Sequence, residues 1–350
     1  MQLVEQDKIH NVDSFLEVEG VLCYSLPDDQ ELHVGSKCYP VKRAFKQSRL
    51  WQLDHYVSWS TGTGSALLYS IKDDKIIHFD EQDDVQIAYS QQDSLFDDCL
   101  IVYERANKET KIYKRNIYTL DKVEISFAPD FHQRVNGQHI WLQPGDWQGP
   151  AENRNDLIRY DTDFNPLWTY KVTGTYQKSG SNIQRAIRIR DIRGIYANKI
   201  WLEMVSDEVI ALDLATGAEL LKIPATHDMA LDTVTGQLIA LNHQHYYEID
   251  LNAATPELVE LDIKANLNII EGEGQPSGNM GCFNQDYIFY YSQEFGRIGV
   301  FDRQSKQTVA SYQPDILGRS MNMIKEMQCY DNRLYVLDAV DTLHVLTLEP

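Results

Sequence analysis

The chain has 350 residues and a formal net charge of −20, with 52 acidic against 32 Lys and Arg residues. Its 43% hydrophobic content, with 20 Tyr, 11 Phe and 6 Trp, is enough to bury a core and excludes a disordered polyelectrolyte. Such acidity argues against nucleic acid as the main partner, because phosphate neutralisation needs net positive surface.

The chain opens Met1-Gln2-Leu3-Val4-Glu5-Gln6-Asp7-Lys8, without a basic start and an apolar run behind it. No secretory leader is expected. No window approaches the roughly 18 apolar residues of a membrane span. The five cysteines (Cys23, Cys38, Cys99, Cys282, Cys329) are scattered and form no C-x-x-C pair. A disulfide framework or a zinc knuckle is therefore not expected, and reduced thiols in a cytoplasmic protein are.

Along the chain, a short strand-like run ending in Asp recurs. It appears as Ile77-His78-Phe79-Asp80, Ile158-Arg159-Tyr160-Asp161, Ile210-Ala211-Leu212-Asp213, Tyr247-Glu248-Ile249-Asp250 and Gly299-Val300-Phe301-Asp302. Lys111-Ile112-Tyr113-Lys114 and His344-Val345-Leu346-Thr347 continue the ladder without the Asp. The mean spacing is about 44 residues, the period of four-stranded propeller blades. The expected fold is all-β, a single propeller domain over residues 1–350 with about seven blades.

The first 50 residues supply strand-like runs. Phe15-Leu16-Glu17-Val18 or Val21-Leu22-Cys23-Tyr24-Ser25 is expected to finish the C-terminal blade and close the ring, since a chain ending at Pro350 leaves that blade without its outer strand. These residues hold more strand than closure needs, so eight blades remain open. In mid-chain, Lys199–Met204, Val209–Leu214 and Ala218–Ile223 read as three strands. Ser206-Asp207-Glu208 and Ala215-Thr216-Gly217 turn the chain between them, with Gly217 supplying a positive φ. Glu257-Leu258-Val259-Glu260-Leu261 alternates acidic and apolar side chains, as an outer strand with one wet face does. Two turn-rich or basic stretches break the rhythm and read as loop insertions, over 143–156 and 173–193. The first carries Trp147, the second Lys178, Arg185, Arg188, Arg190 and Arg193. Loops are where a rigid scaffold places binding residues.

The segment Val209-Ile210-Ala211-Leu212-Asp213-Leu214-Ala215-Thr216-Gly217-Ala218-Glu219-Leu220 resembles the repeat of quinoprotein-like and WD40-like propellers. Asn165-Pro166-Leu167-Trp168-Thr169-Tyr170-Lys171-Val172-Thr173-Gly174 resembles the outer-strand end of the same repeat. The match covers about two blades. In that family a Trp after the Thr-Gly turn helps lock blades together; here Leu220 and Leu221 occupy that stretch. Members that use pyrroloquinoline quinone are exported enzymes with a calcium site, often beside vicinal cysteines, which this chain lacks. The resemblance implies the shape without the redox chemistry, and many relatives are non-catalytic protein-binding scaffolds.

Several constellations are weighed for chemistry. His243-Gln244-His245 is the closest histidine pair. Two imidazoles at i and i+2 on a strand could hold a metal, but a polar turn between Leu241 and Tyr246 is the favoured reading, so neither metal nor cofactor is expected. Asp80, Glu81, Asp83, Asp84, Asp97 and Asp98 form the densest acidic runs and lack the alternating spacing of a calcium loop. They read as solvated turns or as a docking patch for basic side chains. Gly62–Ser65 and Gly272–Gly278 precede strands, not helices, and read as turns. Arg185 to Arg193 alternates charge with apolar residues, as a strand with one basic and one buried face would. Residues 101–200 form the one net-basic third, with 16 bases against 11 acids.

These features favour a non-enzymatic, cytoplasmic protein-binding propeller, monomeric when free. Its most concrete form is an inhibitor or immunity protein that captures a basic partner such as a toxin domain. Asp80, Glu81, Asp83, Asp84, Asp97, Asp98, Trp147, Arg185, Arg188 and Arg190 are the candidate partner-binding residues. The charge is equally explained by solubility. The alternatives are a hydrolase or lyase acting on sugars at the central channel and a scaffold subunit of a larger assembly.

Overall fold

The structure is a computed structural model that describes residues 1–26, 31–40, 49–60, 65–81, 86–89, 95–96, 98–106, 109–145, 156–177, 183–263, 278–292, 297–314 and 324–350. They form strands and turns only, and no helix is long and apolar enough to cross a membrane.

The chain opens with β1 (Gln2–Ile9). Blade 1 follows as β2 (Ser14–Val18), β3 (Val21–Leu26), β4 (Glu31–Val34) and β5 (Lys37–Pro40). Blade 2 is β6 (Arg49–Leu53), β7 (Tyr56–Ser60), β8 (Ser65–Ser70) and β9 (Lys75–Glu81). Blade 3 is β10 (Gln86–Tyr89), β11 (Cys99–Ala106), β12 (Glu109–Asn116) and β13 (Lys122–Ile125). Blade 4 is β14 (Phe131–Val135), β15 (Gln138–Pro144), β16 (Leu157–Tyr160) and β17 (Pro166–Tyr170). A separate hairpin, β18 (Thr175–Gln177) and β19 (Gln184–Ala186), precedes blade 5. That blade is β20 (Ile189–Tyr196), β21 (Lys199–Met204), β22 (Glu208–Asp213) and β23 (Glu219–Pro224). Blade 6 is β24 (Ala230–Asp232), β25 (Gln237–His243), β26 (His245–Asp250) and β27 (Leu258–Asp262). Blade 7 is β28 (Gly278–Phe283), β29 (Tyr287–Ser292), β30 (Ile298–Asp302) and β31 (Gln307–Tyr312). Blade 8 takes β32 (Ile324–Tyr330), β33 (Arg333–Asp338) and β34 (Leu343–Glu349), and β1 completes it.

Every blade is an antiparallel meander, and its inner strand touches the inner strand of a neighbour at several junctions, including β32 against β2. The described strands thus make eight four-stranded units. The seven sequence markers undercounted for a local reason. Five of them lie in the third strand of blades 3 to 7 and one in that of blade 8, but Ile77–Asp80 lies in the fourth strand of blade 2. Blade 1 left no marker, because its third strand, Glu31-Leu32-His33-Val34, runs into Gly35 without an Asp.

The ring closes through both termini, as the open C-terminal blade required. The closing strand is β1, with Gln2 opposite Glu349 and Ile9 opposite Leu343. Phe15–Val18 and Val21–Ser25 are instead the first two strands of blade 1. The polar alternation Gln-Leu-Val-Glu-Gln-Asp-Lys hides β1 as an edge strand. Its Leu3 is buried on blades 7 and 8 and Glu5 bonds buried His344, while Gln2, Gln6 and Asp7 are exposed.

The apolar core is divided among the junctions. Eight clusters of buried side chains occur, one between each pair of neighbouring blades. The last joins Phe15 of blade 1 to Tyr335, Leu337 and Leu343 of blade 8. Trp59, Trp141 and Trp201 sit fully buried on the second strands of blades 2, 4 and 5. Each such side chain contributes about 1.5–3 kcal/mol by burial. Middle strands are near-continuous apolar runs, whereas outer strands such as β23 and β27 alternate with solvent-facing residues.

The resembling segments meet at one junction. Gly217 adopts φ 72°, and a side chain there would drive Cβ to 2.6 Å from Trp168 Cε3. Trp168 donates from Nε1 to the Leu214 carbonyl at 3.3 Å. Blade 4 therefore docks its Trp on the Thr-Gly turn of blade 5, while Leu220 is exposed and takes no such part.

Candidate functional site

Within each meander, the turns between first and second strands and between third and fourth strands lie at one end. The turns between second and third strands and the blade-to-blade connections lie at the other. Except for Asp80, the Asp ladder belongs to the first end. Asp213 Oδ1 accepts hydrogen bonds from Thr216 N at 2.8 Å, Thr216 Oγ1 at 2.7 Å and Ala215 N at 3.1 Å. Asp161 takes those of Asp163 N and Asn165 N, Asp250 that of Asn252 N, and Asp302 that of Ser305 N. The bonds from Thr216 hold the Asp213 carboxyl below its usual range. These are Asx turns that reverse the chain. In blade 3, where the marker ends in Lys114, Asn116 takes the role two residues later by accepting from Tyr118 N and Thr119 N. Thr347 needs no turn residue, since β34 pairs directly with β1.

A pocket of about 580 Å³ opens at the other end. Its walls come from three connections. The β18–β19 hairpin contributes Tyr176, Gln177 and Arg185; the approach to β20 contributes Arg188 and Arg190; the β21–β22 turn and the β23–β24 connection contribute Asp207 and His227. Sequence alternation reads the stretch that holds Arg190 and Arg193 as one strand with a single basic face. The structure differs. The basic stretch splits into β19 and β20, and β20 carries register shifts between Ile189 and Asp191 and between Ile192 and Gly194. Bulges re-aim side chains, and here both guanidinium groups reach one carboxylate, Glu203.

Glu203 is 1% exposed. Its Oε2 accepts from Arg193 Nε at 2.7 Å and from the Asp228 backbone N–H at 3.1 Å. Its Oε1 lies 3.2 Å from Arg190 Nε and 3.8 Å from His227 Nδ1. Arg190 also reaches Asp228 at 3.3 Å, Arg193 reaches Asp191 at 3.0 Å, and His227 Nε2 meets Asp207 at 2.7 Å. Glu203 Oε1 and His227 Nδ1 are buried and make no hydrogen bond among the described residues. The network holds Arg190 and Arg193 in place and leaves polar atoms that a ligand or water can satisfy.

Of the candidate residues, Arg185, Arg188 and Arg190 are brought together in this pocket. Asp80 and Glu81 end β9 at the same end of the ring, opposite Ala66 and Ser65. Asp98 lies at the other end, in the connection into β11, where its carbonyl accepts from Ile117 N. The described acids therefore do not form one patch. Asp83, Asp84, Asp97 and Trp147 lie outside the described residues. Glu203, Asp207, His227 and Asp228 were not singled out in the sequence. The signal for Glu203 was there: one acid inside the apolar run Ile200-Trp201-Leu202-Glu203-Met204. His243-Gln244-His245 is a tight turn between β25 and β26, with His245 Nδ1 2.8 Å from Glu260.

A second cavity, of about 390 Å³, lies among the inner strands β2, β6, β24, β28 and β32. Leu16, Ala230, Met280 and Met327 supply much of its lining. Cys282 and Cys329 share a hydrogen bond there, and burial first, then Cys329, pushes the Cys282 thiol well up.

No family model and no curated protein sequence matches the chain. Solved structures do. BamB from Moraxella catarrhalis is 12% identical with a TM-score of 0.56, covering 99% of this chain and 100% of that one. The C-terminal WD40 domain of Sif2 is 12% identical with a TM-score of 0.58, and Saccharomyces cerevisiae Sqt1 is 7% identical with 0.57; each alignment covers 100% of this chain and 99% of the other. The chain is a β-propeller. At such identities the likeness to quinoprotein-like and WD40-like propellers is one of fold.

Proposed function

We propose that this propeller binds a protein partner on the end of the ring formed by the blade-to-blade connections, with the arginine pocket as its anchor. The observation that carries this reading is the cluster of Arg185, Arg188 and Arg190 around about 580 Å³, with Arg190 held by buried Glu203. Guanidinium groups recognise carboxylates in fixed fork geometry, so the pocket suits an acidic side chain or a C-terminal carboxylate of the partner. The partner as a whole is basic. A chain of net charge −20 steers a basic protein towards itself over long range, and a local arginine contact then sets the register. A cytoplasmic inhibitor or immunity protein that neutralises a toxin domain combines these properties.

The described lining of the central cavity mixes apolar Leu16, Ala230, Met280, Phe283 and Met327 with Glu17, Gln52, Gln328, Cys282 and Cys329. Some buried ionisable groups elsewhere are engaged in structural pairs. Arg303 with Asp232 at 2.7 Å and His344 with Glu5 at 2.7 Å are examples.

The test is affinity capture from cytosol at low and high salt, with the wild-type chain and with R185E/R188E. The reading expects basic proteins recovered at low salt, depleted at high salt and lost in the double variant. Recovery of nothing basic, or equal recovery by the double variant, overturns it. Size-exclusion of the native complex separates a one-to-one inhibitor from a scaffold in a larger assembly.

A further inference from the structure

Blade 1 carries a chemically distinct cluster on its outer half. A two-residue turn, Gly35-Ser36, joins β4 to β5, with Gly35 at φ 56°. The resulting register places Cys38 directly opposite His33, and His33 directly opposite Tyr24 on β3. Glu31 stands two residues before His33 on the same strand and hence on the same face. The His33 imidazole, the Glu31 carboxylate and the Cys38 sulfur bring one donor atom each within 4.8 Å of one another. His33 Nε2 is 2.9 Å from Glu31 Oε2. Tyr24 stacks on the imidazole with ring centroids 4.5 Å apart and planes 7° from parallel. That stacking fixes the ring orientation, as the outer shell of a metal site does.

We propose that Glu31, His33 and Cys38 form a three-ligand site for a divalent transition metal, with zinc as the fitting ion and the fourth position open to water or to a partner's side chain. The mixed oxygen, nitrogen and sulfur set selects a borderline-soft cation over calcium or magnesium, which take oxygen ligands alone. Zinc bonds of about 2.0–2.3 Å in tetrahedral geometry separate donor atoms by roughly 3.3–3.7 Å. To reach it, the 2.9 Å Glu31–His33 contact opens by about 0.5 Å and any donor pair near the 4.8 Å limit closes by about 1 Å. The side chains are 20% exposed at His33 and 37% at Glu31, so an ion can enter without unfolding the blade.

Binding exchanges the thiol proton for the metal. One S–H bond breaks, one metal–thiolate bond forms, and the proton leaves to solvent, so about one proton is released per ion near neutral pH. An exposed hairpin that merely pairs His33 with Glu31 would release none.

The experiment uses the full chain stripped with a chelator. Cobalt(II) titration should give a thiolate-to-cobalt charge-transfer band that saturates at one equivalent. Zinc should compete it away, and unbuffered titration should show the proton release. C38S should abolish the band, and both C38S and H33A should weaken zinc at least tenfold in competition with a chromophoric chelator. H245A, which removes an unrelated surface histidine, should leave zinc affinity unchanged. Absence of the band, or C38S and H33A binding zinc within threefold of wild type, overturns the assignment. Thermal melting of metal-free C38S is the control for folding, because an isosteric change on an outer strand should leave it unmoved. The site is independent of the arginine pocket, so either can fail alone.

Discussion

Glu203 is the hinge of the arginine wall, and Glu203→Gln is the sharpest test of it. The substitution keeps volume and leaves a carbonyl to accept the Asp228 N–H. It removes the charge that Arg190 and Arg193 share and points an amide donor at a guanidinium donor. Breaking a fully buried ion pair costs about 3–5 kcal/mol. Here the arginine side chains are 36% and 16% exposed, and Arg193 keeps Asp191 at 3.0 Å. Water and that second carboxylate recover part of the loss, so about 2 kcal/mol is expected. A chain of 350 residues unfolds with an entropy of roughly 0.7 kcal/mol/K, which makes the midpoint fall about 3 °C. The assay is urea denaturation followed by tryptophan fluorescence, with Trp201 two residues away on the same strand, repeated in 0.5 M salt. A buried network should keep most of its contribution in salt. A loss below about 0.5 kcal/mol, or one that vanishes in salt, would refute the idea that Glu203 pins the pocket, and partner capture by the variant should then be unimpaired.

Gly217→Ala forces a Cβ against Trp168 at a left-handed φ and should cost about 2–3 kcal/mol. Trp168→Ala combined with it should be less than additive in thermal melts. His344 is fully buried between Glu5 and Asp338. Burial alone would lower its pKa, but bonds to Asp338 and Glu5 outweigh that and raise it, while both carboxyls, which burial would raise, are lowered by His344. The imidazolium's contribution is full below its unfolded value of about 6.5 and fades as pH rises through the folded one. Those of the carboxylates are full above about 4 and fade as pH falls. Hydrogen-exchange protection of β1 should therefore be greatest between about pH 4 and 6.5 and drop above it, and His344→Gln should flatten the alkaline limb. With a thiol reagent at pH 8, exposed Cys38 should react in the native protein and slow when zinc is added. Cys23, whose thiol burial pushes up to about 12, should react only on unfolding.

How much of this was legible in sequence depended on whether the signal was local. The Asx turns were, because Asp213 and Thr216 bond within four residues. The strand period was too, since middle strands such as β21 and β22 are bounded by turn residues. Two kinds of information were not. Blade 1 left no marker, although strand-like runs in residues 1–50 kept an eighth blade open, because its third strand is short and polar and ends in a glycine turn without an Asp. The closing role of β1 was missed because an edge strand that buries only one face shows weak periodicity. At the site, alternation identified the arginines but could not foresee the two bulges that turn Arg190 and Arg193 onto one carboxylate. The Glu31, His33 and Cys38 cluster was likewise hidden by a hairpin register. Four residues separate His33 from Cys38 in sequence, and a two-residue turn makes them face each other.

The pairing of β1 with β34 also sets how the ring responds to force. The two strands run antiparallel with Gln2 opposite Glu349, so both ends of the chain leave the molecule from the same edge of blade 8. A pull on the two ends loads the ladder one rung at a time, as in opening a zipper, instead of shearing every hydrogen bond together. A load on the termini should therefore peel β1 away, uncovering Leu3 at the junction of blades 7 and 8 first and Ile9 at the Phe15–Tyr335 junction last.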